Sequence, residues 1–134
     1  MNIEEGEILL GHALSIRPGL TEESFRAIAG DMALPLVHNG PSRSYKLPSV
    51  DLLGRSFQPS VYFTAGKVTA VSLYPEADDP TLSAKDQNKA NARWLRTTLG
   101  GFGVRRFSWG TIEPIYDPRS DSADIWLRYR DHPR

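Results

Sequence analysis

Cysteine is absent from all 134 residues. That excludes a disulfide framework, a thiolate zinc site, an iron–sulfur cluster and a cysteine nucleophile. Histidine is scarce as well. His12, His38 and His132 are scattered, and none has the spacing of a metal-binding helix such as His-Glu-x-x-His. An excess of either charge is missing, with 16 Lys+Arg against 16 Asp+Glu, which removes any global pull toward nucleic acid or anionic membrane. No apolar run approaches the roughly 20 residues of a membrane span. The stretch from Asn2 to Glu7 is acidic where a secretory signal would be basic. A cytoplasmic protein with no membrane contact is expected. Gly-x-Ser-x-Gly, the phosphate loop and Gly-x-Gly-x-x-Gly are all lacking. Gly100-Gly101-Phe102-Gly103 follows a helical stretch rather than opening one, so it does not offer phosphate a helix N-terminus. No catalytic constellation, metal site or cofactor is expected.

What is present describes a globular chain, 40% hydrophobic and 24% charged, with the length of one ordinary domain, residues 1–134. The neutral total conceals an asymmetry: residues 1–80 carry 6 basic and 10 acidic side chains, residues 81–134 carry 10 and 6.

Alternation of Leu10, His12, Leu14 and Ile16 predicts a strand from Ile8 to Ile16, stopped by Pro18-Gly19. Thr21 is a good N-cap for a short helix with Glu22 and Glu23 in its first turn, burying Phe25, Ile28 and Ala29 and ending at Gly30. Leu34–His38 and Tyr45–Leu47 read as strands. Val61–Thr64 and Lys67–Tyr74, joined by Ala65-Gly66, form the clearest hairpin, with Val68, Ala70, Val71, Leu73 and Tyr62 as core material. Ser83 caps a long helix to Leu99 that stops at Gly100-Gly101. One face of it carries Ala84, Gln87, Asn91, Trp94, Leu95, Thr98 and Leu99. Phe107–Tyr116 and Ala123–Tyr129 make a second hairpin around the loop 117–122. The expected class is α+β: an antiparallel sheet of hairpins packed against one long and one short helix.

Three features invite a functional reading, each beside a plainer one. Lys85, Lys89, Arg93 and Arg96 fall within an arc of about 80° on the long helix. They form either a docking surface for an acidic partner or phosphates, or a solvated outer face. Nucleic acid is the weaker functional option, since no aromatic interleaves them. Asn91, among apolar neighbours, suits a structural hydrogen bond better than an active site. The second hairpin gathers Trp109, Glu113, Asp117, Arg119, Asp121, Asp124, Trp126 and Arg128. Arg119 can pair with Asp117, Asp121 or Asp124. Trp126 stands on the wet side of its strand between Asp124 and Arg128, where exposed Trp and Arg are typical of binding hot spots. A covering loop, or stacking by Arg128, would make it structural.

Four segments in order, IRPGLTEESF, SVYFTAGKVTAVSLY, NARWLRTTLG and WGTIEPIYDPRSDSADIWLRY, together resemble small bacterial immunity proteins of polymorphic, contact-delivered toxin systems, type VI secretion effectors included. The similarity runs from about Ile16 to Tyr129 and is most distinctive at Asn91, Trp94, Leu95 and Gly100, at Trp109-Gly110, and at Asp117-Pro118-Arg119-Ser120. It implies stoichiometric neutralisation of a cognate toxin domain without chemistry, and fold-forming roles for Asn91, Trp94, Gly100, Trp109 and Asp117. Candidate partner contacts are then Trp126, Arg128 and Arg119 on the second hairpin, or Lys85, Lys89, Arg93 and Arg96 on the helix. A small ligand-binding domain or enzyme, with a pocket between the sheet and helix 83–99, is the alternative. Oligomeric state is open.

Overall fold

A computed structural model describes residues 2–11, 14–76 and 81–130. The class is α+β. Strands β1 (Ile8–Leu9) and β2 (Ser15–Ile16) form a small hairpin, followed by helix α1 (Glu22–Ala29). Then come β3 (Leu34–Asn39), β4 (Ser42–Lys46), β5 (Val50–Leu52), β6 (Arg55–Thr64) and β7 (Lys67–Pro75). Helix α2 (Ala84–Leu99) precedes β8 (Arg105–Phe107), β9 (Gly110–Asp117) and β10 (Ser122–Tyr129). The large sheet is eight-stranded, in the order β3-β4-β6-β7-β10-β9-β8 with β5 paired to the far end of β6, and every pairing is antiparallel.

Local chemistry sets the element ends. The Thr21 side chain accepts a hydrogen bond from the Ser24 N–H, and Ser83 accepts one from Asp86, satisfying donors that a helix start leaves free. At the β6–β7 turn Ala65 and Gly66 both have positive φ, 50° and 81°, the paired left-handed conformation of a tight hairpin turn.

Tertiary packing corrects the sequence reading in four places. The expected strand Ile8–Ile16 is a hairpin, because Gly11 at φ 102° lets the chain reverse and Ile8 pairs with Ile16; His12 and Ala13 lie outside the described residues. Ile28 on α1 is exposed at 47%, while Phe25 and Ala29 are buried. The expected strand from Phe107 is broken: 105–107 form β8, which turns back onto β9. Tyr62, expected in the core, lies on the opposite face of the sheet. A bulge between Tyr62 and Phe63 inserts Thr69 into β7, so Val68 faces the core while Ala70 and Ser72 face away.

The core occupies one face only. Phe25 of α1 packs on Tyr45 and Phe63, with ring centroids 5.3 and 5.1 Å apart. From α2, Leu95 is fully buried over the sheet and Trp94 meets the Phe57 ring edge-on at 5.0 Å. The N-terminal segment is tied to the same side. Trp109 Nε1 donates to the Ile3 carbonyl at 2.8 Å, and the Tyr129 hydroxyl donates to the Gly6 carbonyl at 3.0 Å. Fully burying one large apolar side chain contributes about 1.5–3 kcal/mol, so these contacts fix both helices to this side.

Candidate partner-binding face

The other face of the large sheet carries no helix. Antiparallel register places one row of Ser44, Tyr62, Ala70, Arg128 and Thr111 across it, and beside that a row of Lys46, Ser60, Ser72, Trp126 and Glu113. β7, which separates Tyr62 from Trp126, contributes only small side chains here. Ala70 and Ser72 are therefore covered to 7% and 5% exposure by the large rings that reach over them. The Tyr62 and Trp126 rings meet with centroids 5.0 Å apart and planes tilted by 35°. The Tyr62 hydroxyl lies 3.3 Å from Ser72 Oγ.

Arg128 completes the cluster. Its guanidinium carbon stands 5.4 Å from the Trp126 ring centroid, and its Nη1 donates to Glu113 Oε1 at 3.0 Å. Cation–π contact and ion pair together hold the Arg128 side chain beside the indole while leaving it half exposed. Trp126 is partly buried by its neighbours and still reaches solvent. Asp124, two residues earlier on the same face, has an Oδ1 that is shielded from water and has no hydrogen-bond partner. That burial holds its carboxyl above the usual carboxylate range.

The remaining sequence candidates separate from this cluster. Arg119 is exposed in the loop between β9 and β10, and its guanidinium pairs with none of Asp117, Asp121 and Asp124; Asp117 Oδ1 instead accepts the Arg119 backbone N–H at 2.9 Å. Lys85, Lys89, Arg93 and Arg96 are all exposed on the outside of α2, across the core from the bare sheet face. Asn91 is fully buried and donates from Nδ2 to the Ala123 carbonyl of β10 at 3.2 Å, which is a tie between helix and sheet. Trp94, Trp109, Gly100 and Asp117 likewise make packing, capping and turn contacts.

The pocket expected beneath helix 83–99 does not gather Asn91. A cavity of about 480 Å³ opens at the start of α2 instead, between Ser83, Ala84 and Gln87 and residues such as Tyr74, Glu76 and Asp121. A wider cleft of about 800 Å³ lies between α1 and β3, lined by Glu22, Glu23, Arg26, Asp31, His38 and Tyr45 among others. Inside it the Tyr45 hydroxyl donates to Glu22 Oε2, and burial, reinforced by that carboxylate, pushes the phenol above its ordinary value. No group of three His, Asp or Glu side chains able to hold a metal occurs among the described residues. No helix among them is long and apolar enough to cross a membrane.

The alternation of the last strand pointed to Trp126 and Arg128, while Glu113 was named only among the polar residues of the same hairpin. It missed Tyr62 as their neighbour, since a bulge is not visible as a break in hydrophobic pattern. What fold and site define is a one-sided α+β protein with a bare, aromatic-centred sheet face. No protein-family model matches the chain, and no curated protein matches it. A solved chain from the complex described as "Rhs1-CT in complex with cognate immunity protein RhsI1" shares the fold. Its TM-score is 0.61 at 16% identity, covering 94% of this chain and 83% of that one.

Proposed function

We propose that this chain is an immunity protein that neutralises a cognate toxin domain by stoichiometric binding, with the bare sheet face around Trp126 as the contact. The observation that carries the contact is the Tyr62–Trp126–Arg128–Glu113 cluster. Large side chains there are already locked against one another on a face no helix covers, so little side-chain freedom is left to lose on binding. Buried Trp, Tyr and Arg dominate binding energy in protein interfaces. The fold it shares with a chain from a toxin–immunity complex supports the kind of partner.

Co-expression with a candidate toxin domain, sought first in the neighbouring gene, tests the reading. Protection of the cells and a complex that co-elutes on gel filtration are expected. Unrelieved toxicity with no complex overturns it.

A second reading, a small-ligand domain, rests on the α1–β3 cleft with its carboxylates, His38 and Tyr45. It predicts that a small molecule soaked or screened against the chain shifts the resonances of Glu22, His38 and Tyr45 and leaves Trp126 unmoved.

A further inference from the structure

Helix α2 ends in a loop whose construction the sheet-face reading leaves unused. Gly100, Gly101 and Gly103 all adopt positive φ, 76°, 70° and 63°, so the loop 100–103 has a shape that side chains with a Cβ rarely adopt. Arg105 then pins it. Its Nε donates to the Gly100 carbonyl at 3.0 Å, Nη2 to Gly101 at 2.9 Å and Nη1 to Gly103 at 2.6 Å. Arg105 is only 8% exposed and pairs with no carboxylate among the described residues. A near-buried guanidinium is thus devoted to holding carbonyls at the negative end of a helix dipole.

The residue this device presents is Phe102, 78% exposed, the most exposed large apolar side chain among the described residues. Arg96 lies against one face of its ring, the guanidinium carbon 5.4 Å from the centroid. Arg96 is the last member of the row Lys85, Lys89, Arg93 and Arg96, which runs about 16 Å along α2 at 1.5 Å per residue. All four are exposed, and no carboxylate among the described residues forms an ion pair with any of them. Like charges one turn apart destabilise a helix by a few tenths of a kcal/mol per pair, and Asp86, three residues before Lys89, is the one carboxylate that α2 itself sets beside the row.

We infer that the outer face of α2 and the 100–103 loop form a second docking ridge, which takes an acidic protein surface carrying an apolar socket for Phe102. The exposed row of cations sets the sign of the partner, and the exposed Phe102 ring sets the socket. Nucleic acid fits less well. The chain has no net positive charge to draw it in, and one face of the only aromatic ring on the ridge is already occupied by Arg96. The ridge lies across the core from the bare sheet face, so its test is independent of the toxin-binding reading.

The experiment titrates the isotope-labelled full chain with three probes: poly-glutamate, a glutamate-rich copolymer containing tyrosine, and a short DNA duplex. Expected are resonance shifts confined to α2's outer positions and residues 100–106, with the tyrosine copolymer binding about tenfold more tightly than poly-glutamate. Phe102→Ala should erase that preference while leaving the poly-glutamate affinity unchanged. Arg93→Glu with Arg96→Glu should abolish binding of both polymers, with an unchanged unfolding midpoint as the fold control. Tighter binding of the duplex, shifts spread over the rest of the surface, or a preference that survives Phe102→Ala each overturns the inference.

Discussion

The Trp126 indole and the Tyr62 phenol come from strands that are not hydrogen-bonded to each other, and their rings meet 5.0 Å apart above β7. The contact exists because the β7 positions between them are Ala70 and Ser72. A larger side chain at either would separate the rings and tilt the Trp126 platform that Arg128 steadies.

On the proposed toxin-binding role, Trp126→Ala should weaken the complex by about 2 kcal/mol or more, roughly 30-fold, chiefly through faster dissociation. Surface-plasmon measurements against the toxin domain read this directly. Unchanged dissociation would place the interface elsewhere.

The Arg128–Glu113 pair predicts the opposite balance between binding and folding. With Arg128 51% and Glu113 25% exposed, solvent screening limits the pair to about 0.2–1 kcal/mol of stability. Arg128→Ala should shift chemical denaturation by no more than that, while costing more in the complex. A large loss of fold stability would mean that Arg128 braces the sheet rather than the face.

Asp124 links this face to pH. Burial raises its folded carboxyl above the ordinary 3.8, so the folded state binds the proton more tightly than the unfolded state does. The associated stability is present below about pH 3.8 and is lost as pH rises through the raised folded value. Asp124→Asn should stabilise the fold near pH 7, and the gain should shrink on acidification. Denaturation curves of both proteins at neutral and acid pH decide it; a gain independent of pH would refute the assignment.

Gly110 faces β10 where no side chain fits. A Cβ there would overlap the carbonyl oxygen of Arg128, on a backbone with φ 155°. Gly110→Ala should cost about 3 kcal/mol or more by forcing apart the β9–β10 ladder, which pairs Gly110 with Tyr129. Thermal unfolding measures it, and a loss below about 1 kcal/mol would show that the strands can part without penalty.

Features that depend on a few neighbouring residues were legible in advance. Thr21 and Ser83 cap helices because a hydroxyl three residues before a free N–H reaches it whatever lies beyond. The Ala65-Gly66 turn and the half-wet last strand follow from equally short-range rules. The reversal near Gly11 was hidden, because alternating residues on a hairpin that packs on one core look like a continuous strand. β8 was hidden because a three-residue strand has too few positions to show a period.

The sequence alone settles what this protein does without, namely thiol chemistry and a global charge. It also settles the ends of its helices and its clearest turn, because composition and local hydrogen bonding need no partner from far along the chain. Tertiary structure decided the rest. Pairing of β7 with β10 joined Tyr62 to Trp126, packing of both helices on one side left the other side bare, and Arg105 tied down the carbonyls of the loop that carries Phe102. Each is set by contacts between elements whose register depends on packing, and packing is the one thing that the order of residues does not display.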